Sequence, residues 1–492
     1  LGALVCNINL AVANVALPDI GRELNASQTS LTLVAVGCTL GLAMSVLYFG
    51  ALGDRYGRKL MLLLGLGLTI PTSIVSAWAP NVEILMAGRL FTGLAAGMAY
   101  PTTLALITAL WVEGPRRVRA IALWSGVSAG GTVLGPVLAG LLLESYWWGS
   151  VFLIAVPVAA VAFVLVAVSV PAHVNESSER VDHLGGWISV FMVAALVLGI
   201  GTISAPDKLT MALSLLAGAL VLAGFFARRR LFWVPAIAGM IIFGSLVGSM
   251  YVGQQFLQNV LDYSTLDAGT AILPAAIGMV CVAPLSAKLV VRIGSRDTML
   301  LGYAFILPAF LVMLFTWGAG TAYVWVALGY LLVGIGAGLA LTPAARSLTG
   351  SVPVRKVGMA SGTSDLQRDL GGSVMQALLG TLLTIGYASA FTSQIDASPA
   401  AGQVSQSTEN ALLQSYSSAA TLAERYPEYQ QQILDAARTS FIDGANWAYA
   451  AGAIAVVLGA ILVALRYPGH AGELATVADY QRQDEPAATA AG

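Results

Sequence analysis

Apolar segments of bilayer length constrain this chain more than any other feature. About fourteen stretches are long enough, at roughly 20 residues, to cross the hydrocarbon core of a membrane as helices. Apolar residues make up 57% of the chain and charged residues only 10%, whereas soluble domains are about 25% charged. The chain is therefore predicted to be an all-α polytopic membrane protein. Its 24 basic and 25 acidic residues nearly balance, so no nucleic-acid partner is expected.

The basic residues predict the orientation in the membrane. Two of the 24 lie within spans, and with a cytoplasmic N-terminus only four fall in outer loops: Arg22, Lys208, Arg425 and Arg438. The remaining eighteen then lie in inner loops, as the positive-inside rule requires. Both termini are predicted to be cytoplasmic. The apolar run at the start of the chain is interpreted as the first helix and not as a signal peptide.

Short motifs recur between the first and second parts of the chain. Arg55-Tyr56-Gly57 recurs as Arg292-Ile293-Gly294, and the pair Gly93 and Gly97 recurs as Gly334 and Gly338. In the second copy, Val291 stands at the position that Asp54 has in the first. Weak internal repeats of this kind are typical of transporters built from two similar bundles.

The repeat predicts the domain organisation. An N-terminal six-helix bundle occupies residues 1–170, an inserted helix pair 184–227 and a C-terminal six-helix bundle 232–465. Residues 392–444, inside the second bundle, are rich in Gln, Ser and Ala. This segment is expected to be external and partly helical, either as a cap over the exit or as a linker. Residues 466–492 are expected to form a cytoplasmic tail that is polar and disordered after Tyr467.

Two acidic residues fall well inside a span, Asp365 and Asp369, with Arg368 beside them. Residues four apart share one face of a helix, and Asp369 lies roughly 18 Å from the start of its span, near the bilayer midplane. Two carboxylates beside one guanidinium in a low-dielectric setting favour the protonated form of one of them. This is the requirement for proton coupling. The alternative is a structural ion pair that holds the helix to its neighbours.

The charged run Gly53–Lys59 separates two spans and forms a short turn at the membrane surface. It resembles the signature loop of the major facilitator superfamily, which joins the second and third transmembrane helices. The resemblance implies the major facilitator fold and the movement of a solute across a membrane. Five residues of the loop are predicted to form a conformational latch, with its acid facing a helix N-terminus: Gly53, Asp54, Arg55, Gly57 and Arg58. The alternative is a basic turn that only sets topology.

The fifth predicted span carries small residues and a proline that resemble the antiporter motif of this superfamily: Gly131, Gly135, Pro136 and Gly140. Small residues spaced by four also let helices approach closely, so the alternative is ordinary bundle packing. The first span ends in Asn14-Val15-Ala16-Leu17-Pro18, which is similar to the 14-helix drug:proton antiporter family. That family usually has an Asp where this chain has Asn9, which weakens the expectation of a cationic substrate.

Arg89 is the other basic residue inside a span, and it begins a stretch that resembles the superfamily's fourth-helix motif. The resemblance implies a part in proton transfer. The alternative is an arginine satisfied by backbone carbonyls or by a polar group of the first helix, Asn9 or Asn14.

Polar and aromatic residues within the spans are candidates for lining a substrate pathway: Asn9, Tyr100, Trp124, Tyr251, Gln254 and Gln258. The predicted function is a proton-coupled efflux transporter of amphiphilic drugs or toxic compounds in a bacterial plasma membrane. Its expected partners are the lipid bilayer, a small amphiphilic substrate and protons. An exporter of an endogenous lipid, siderophore or metabolite is one alternative, and a non-transporting receptor or scaffold is another. No nucleophile–base pair, nucleotide loop or metal set is evident, so neither an enzyme nor a cofactor is predicted.

Overall fold

The computed structural model describes residues 1–110, 134–171, 230–350, 357–398, 405–473 and 475–476, together with single positions at 120, 124, 127, 131, 183, 187, 190 and 191. Regular structure in these ranges is α-helical, as predicted. The predicted inserted pair at 184–227 lies outside the described residues except for three single positions, and so does much of the fifth predicted span.

The helices before the inserted pair form the N-terminal group. They are α1 Gly2–Ala11, α2 Ala13–Glu23, α3 Gln28–Tyr56, α4 Arg58–Ala77, α5 Val82–Leu110, α6 Leu134–Leu143, α7 Ser150–Leu153 and α8 Ala155–Ser169. α1 and α2 are bent by 44° at the break between them and together make one broken span.

The helices after the inserted pair form the C-terminal group. They are α9 Arg230–Asn259, α10 Thr265–Thr270, α11 Leu273–Thr316, α12 Tyr323–Gly350, α13 Val357–Ala397, α14 Gln406–Gln414, α15 Tyr416–Arg425 and α16 Gln430–Arg466. Serines at 264, 405 and 415 begin the three short helices α10, α14 and α15, and each side chain accepts a hydrogen bond from a first-turn backbone N–H.

Nine helices among the described residues are long and apolar enough to cross a membrane, or ten if the bent pair counts as one span. One of them is a stretch of 52 residues, Thr265–Thr316, which covers two predicted spans. Gly294 separates these spans with a φ of +89° inside α11. The total of fourteen spans stays a prediction, because part of the chain lies outside the described residues.

Gly57 and Gly294 turn the chain at the same end of the bundle. Gly57 joins α3 to α4 with a φ of +115°, and both glycines lie in the left-handed region that other residues rarely adopt. We call this the Gly57 end. The opposite end, which we call the Asn25 end, holds the loops at 24–27 and 260–264 together with α14 and α15.

Recurring glycines bring equivalent helices together in the two groups. Gly93 of α5 lies against the carbonyl oxygen of Cys38 in α3, and Gly334 of α12 lies against that of Ala275 in α11. A Cβ atom at either glycine would collide with the neighbouring backbone. The sequence repeat therefore corresponds to one close helix contact made twice.

The structure refines both polar regions of the sequence. α13 extends to Ala397 and α16 begins at Gln430, so the helices that flank the predicted 392–444 segment project into it.

The expectation of a disordered tail is wrong for the first residues of the tail. The carboxylate of Glu473 accepts hydrogen bonds from the backbone N (3.1 Å) and Oγ (2.6 Å) of Ser295, because a helix N-terminus attracts an anion.

Candidate functional site

A buried polar cluster joins α3 to α9 at the Asn25 end. Gln28 donates from Nε2 to Tyr251 Oη at 3.2 Å and to Gln255 Oε1 at 2.9 Å. The hydroxyls of Thr32 and Tyr251 lie 2.8 Å apart. Thr32 donates to the carbonyl oxygen of Gln28, so the phenol of Tyr251 is the donor to Thr32. The cluster ties the N-terminal group to the C-terminal group.

Two further buried amides cross between the groups at this end. Gln258 donates from Nε2 to the carbonyl oxygen of Val15 at 2.9 Å, and Gln376 donates to Asn14 Oδ1 at 3.1 Å. The third predicted pathway residue on α9, Gln254, bonds within its own group, to the carbonyl oxygen of Ala268 at 2.7 Å. The polar contacts between the two groups thus close the Asn25 end in this conformation, and we call these contacts the seal. Tyr251 and Gln258 belong to the seal, and Gln254 lies beside it.

The glycines of the predicted antiporter motif lie at two close contacts. Added Cβ atoms at Gly131 and Gly135 would meet α1 at 3.0 Å and 2.9 Å. Gly140 faces α10 of the C-terminal group, where a Cβ would lie 2.7 Å from Leu266 Cα. The carbonyl oxygen of Pro136 would lie 2.6 Å from a Cβ at Gly269. The motif therefore supplies backbone surface both to α1 and to the contact between the groups.

The segment between α13 and α16 also touches the N-terminal group. Ser415 donates from Oγ to the carbonyl oxygen of Ala26 at 3.1 Å, and Ser417 donates to that of Pro18 at 3.4 Å. A Cβ at Gly21 would lie only 2.6 Å from Ser417 Oγ. We call α14 and α15 the clasp, since they extend from the C-terminal group onto α2.

The clasp is anchored firmly on its own group. Tyr387 of α13 donates to the carbonyl oxygen of Leu412 at 3.0 Å, and Tyr416 packs edge-on against Phe441 of α16. Arg438 pairs with Asp262 across the loop at 260–264, with Nη2 2.6 Å from Oδ2.

Three of the four residues predicted for proton coupling, Asp365, Arg368 and Asp369, lie on α13 at the contact with the N-terminal group. Asp369 is 5% exposed, and α13 packs along α3 of the N-terminal group. Arg368 Nη2 lies 3.5 Å from Tyr100 Oη of α5, and its guanidinium lies 5.2 Å from the ring centre of Phe243. The side chain of Asp365, one turn earlier on α13, is outside the described residues.

Two of the predicted pathway residues meet beside Arg368. The rings of Tyr100 and Trp124 are 5.8 Å apart, and Trp124 donates from Nε1 to Thr103 Oγ1 at 2.9 Å. The site formed by Arg368, Tyr100 and Trp124 is separate from the polar cluster at the Asn25 end. Gly380, against which Thr32 packs, follows Asp369 by about three helical turns, or roughly 16 Å.

Arg89 is buried among the helices of the N-terminal group. Its Nη1 donates to the carbonyl oxygen of Asn9 at 2.8 Å and its Nε to that of Val34 at 3.3 Å. The guanidinium also lies 5.4 Å from the ring centre of Phe152. The side chain of Asn9 donates to the carbonyl oxygen of Val5 at 3.1 Å, so Asn9 meets Arg89 through its backbone.

The Gly53–Lys59 loop packs against the ends of neighbouring helices. Arg58 donates to the carbonyl oxygen of Ala105 at 3.4 Å. Lys59 donates to those of Ala167 and Val170 at 2.8 and 2.7 Å, where a cation suits a helix C-terminus. Gly53 is buried and Arg55 is exposed. The side chain of Asp54 is outside the described residues.

Several residues of the seal were not predicted from the sequence. They are Gln28, Thr32, Gln255, Gln376 and the two serines of the clasp. Gln376 carried a usable signal, since an amide in the middle of an apolar span needs a partner. The others lie at helix ends or in the polar segment, where such residues are ordinary.

Two groups of helices that meet through buried polar side chains, with a buried acid between them, define a polytopic membrane transporter of the two-bundle class. The family model described as the Major Facilitator Superfamily matches residues 1–375. The chain belongs to the Major Facilitator Superfamily, and the family predicted from its motifs is confirmed.

Several curated proteins are similar to this chain over most of its length. It is 32% identical over 402 residues to multidrug resistance protein Stp of Mycobacterium tuberculosis, covering 78% of this chain and 74% of Stp. It is 29% identical to the multidrug efflux pump LfrA of Mycolicibacterium smegmatis, covering 95% and 94% of the two chains. It is 31% identical to the methyl viologen resistance protein SmvA of Salmonella typhimurium, covering 88% and 90%.

Solved structures share the fold at low sequence identity. A bacterial homologue of the human lysosomal transporter Spinster, in an inward-facing and unoccupied conformation, has a TM-score of 0.68 at 15% identity. The match covers 97% of this chain and 96% of that one. The nucleoside transporter NupG has a TM-score of 0.59 at 13% identity, with 95% and 99% covered.

Proposed function

We propose that this protein is a multidrug efflux transporter that exchanges protons for amphiphilic compounds by alternating access. The names of its relatives supply the substrate class. The observation that carries the proton coupling is the position of Asp369. This acid is buried on α13 of the C-terminal group, which packs along α3 of the N-terminal group.

The proposed topology puts the Gly57 end in the cytoplasm and the Asn25 end outside the cell. The basic residues of the Gly53–Lys59 loop support this orientation. The described conformation is then closed toward the outside. We propose fourteen spans, with six-helix halves at 1–170 and 232–465 and the inserted pair at 184–227. The Gly53–Lys59 loop serves as the latch of the opposite, inward-closed conformation.

The mechanism follows from the chemistry of Asp369. When the transporter is open to the outside, the carboxylate takes up a proton and becomes neutral, which lowers the cost of burying it against the N-terminal group. The bundle then returns to the inward-open form, where loss of the proton restores the charge. Arg368, on the same helix turn, stabilises the charged form, and Tyr100 and Trp124 lie beside it to contact the substrate. Arg89 holds α1 and α3 in position.

The energy of one proton is sufficient for this work. One charge that crosses 100 mV is worth about 2.3 kcal/mol, and a tenfold proton gradient adds about 1.4 kcal/mol. If one net charge crosses in each cycle, one proton sustains a substrate gradient of roughly a few hundredfold.

The clasp acts in this cycle as a cap. Its serines bond to backbone groups of the α2 and loop region, so opening at the Asn25 end breaks these bonds together with the polar cluster of Gln28 and Tyr251. We therefore interpret the 392–444 segment as part of the outer gate and not as a linker.

A test of the function uses proteoliposomes with an imposed pH gradient. Efflux is measured for a panel of cationic dyes, neutral drugs and labelled lipids, with Asp369→Asn and Asp365→Asn as variants. We expect gradient-driven transport of several drugs by the wild type and loss of the coupling in Asp369→Asn. Transport of lipid alone would favour a lipid exporter. Absence of transport for every compound would favour a receptor or scaffold.

A further inference from the structure

A large cavity lies under the clasp. Its volume is about 910 Å³, which is within the range of drug-binding sites. The outer ends of α13 and α16 form one side, and α14, α15 and the loop that follows them form the other. The cavity lies on the C-terminal group, away from the contact between the two groups.

The walls of the cavity are fixed by hydrogen bonds between its elements. Gln394 of α13 donates to Ser440 Oγ at 2.9 Å and to the carbonyl oxygen of Ala436 at 3.2 Å, both on α16. Tyr387, one turn below the cavity on α13, bonds to the backbone of α14. The cavity is thus largely preformed, as ligand sites usually are.

The lining combines aromatic and apolar surface with a carboxylate. Phe391, Leu412 and Ile433 line the interior, and the rings of Tyr426 and Tyr429 lie at its rim together with Asp435. Both rim tyrosines are about half exposed, at 49% and 45%. Aromatic faces beside an acid favour organic cations, through cation–π attraction and charge.

The charge of the surrounding segment points to the same ligand class. Residues 392–444 contain six acids (Asp396, Glu409, Glu424, Glu428, Asp435, Asp443) and two arginines, Arg425 and Arg438. Arg438 is already paired with Asp262. Among the described residues, no basic side chain pairs with Asp435. The carboxylate of Asp435 is therefore available to a ligand.

We propose that this cavity is a second binding site, separate from the transport pathway, for drug-sized aromatic cations that arrive from outside the cell. The proposal rests on the topology given above, which makes the Asn25 end external. Because α14 and α15 form both the cavity wall and the contacts to α2, an occupant stabilises the closed clasp. External cation would then slow the opening of the transporter.

The test uses sealed right-side-out vesicles that contain the full chain. The dye propidium, a double cation that does not cross membranes, is added to the outer medium. Binding is read from the rise in propidium fluorescence. The variants are Asp435→Asn, which removes the charge at constant shape, and Tyr429→Leu, which removes a rim ring. Asp396→Asn is the matched control, because this exposed acid belongs to the same segment but does not line the cavity.

We expect saturable binding to the wild type, and about three- to fivefold weaker binding to Asp435→Asn and to Tyr429→Leu. Asp396→Asn should bind as the wild type does. Equal binding by all four proteins, or no binding above protein-free vesicles, would overturn the proposal. Gradient-driven efflux of a permeant drug is measured in the same vesicles. Loss of that efflux in the wild type would refute the proposed function while leaving the cavity result intact.

Discussion

The side-chain amide of Gln258 donates to the backbone carbonyl oxygen of Val15 across the contact between the two helix groups, at 2.9 Å. Val15 lies just before Pro18 in the broken first span, and Gln258 lies in the last turn of α9. The bond thus joins the two groups at the end where the clasp also docks. Every rocking motion that opens this end has to break it, together with the bonds of Tyr251 and the clasp.

The phenol of Tyr251 should help to hold the Asn25 end closed. Tyr251→Phe removes its bonds to Gln28 and Thr32, and each buried hydrogen bond is worth about 0.5–1.5 kcal/mol. We expect the open population at this end to rise by about two- to tenfold. Spin labels at Glu23→Cys and Leu261→Cys, in a Cys281→Ser background, report the distance distribution.

Tyr330→Phe is the matched control for Tyr251→Phe. Tyr330 is also fully buried, but its hydroxyl has no hydrogen-bond partner among the described residues. Its removal should leave the distance distribution unchanged. An equal shift in both variants would indicate general loosening of the bundle and not a specific gate.

The close contact between Gly21 and Ser417 should be necessary for docking of the clasp. A Cβ at Gly21 would lie 2.6 Å from Ser417 Oγ, so Gly21→Val should push α15 away from α2. Ala419 is fully buried in α15. Ala419→Cys alone should therefore react slowly with an impermeant maleimide. When Gly21→Val is added, the reaction should be about tenfold faster, because α15 is displaced from α2 in a larger fraction of the molecules. Gly318→Val, where nothing lies within 4 Å, should leave the rate as it is.

Arg89 should contribute mainly to the stability of the N-terminal group. Arg89→Gln removes charge-assisted bonds to the backbone of Asn9 and Val34, and hydrogen bonds to charged groups are worth about 1.5–3 kcal/mol. We expect a lower melting temperature in detergent. The protein that remains folded should still couple drug transport to the pH gradient as the wild type does. If Arg89→Gln kept its melting temperature and lost coupling, a direct part in proton transfer would be established.

Glu473 should anchor the first turn of the tail to the turn at Gly294. Glu473→Gln replaces a carboxylate at a helix N-terminus, where a charge is worth about 0.3–1 kcal/mol. We expect a fall of about 1–2 °C in melting temperature. Asp396→Asn alters an exposed acid in the last turn of α13, away from any helix N-terminus, and should cause no fall. Equal effects of the two variants would show that the surface charge matters and not the hydrogen bonds.

The sequence was sufficient for features that depend on local composition. Long apolar runs predict membrane helices because the bilayer imposes their length, and Gly57 and Gly294 mark turns because few other residues adopt their backbone angles. The recurrence of Gly93 as Gly334 predicted a repeat, and both glycines make the same kind of helix contact.

The contacts between the two helix groups could not be predicted in this way. Gln28 and Gln255 are more than two hundred residues apart in the chain, and nothing in the local sequence of either residue specifies the other. The same holds for Glu473, which supplies a carboxylate to the turn whose own sequence has Val291 in place of an acid. Such partners depend on how helices pack in three dimensions, and one sequence does not record that packing.

The coupling of Asp369 to substrate is tested most directly by the protons released when drug binds. Purified protein in weakly buffered detergent solution is titrated with a transported drug while a pH indicator is recorded. The account predicts that the wild type releases about one proton per drug bound near neutral pH, and that Asp369→Asn binds drug without release. Equal proton release by Asp369→Asn and the wild type would contradict the account.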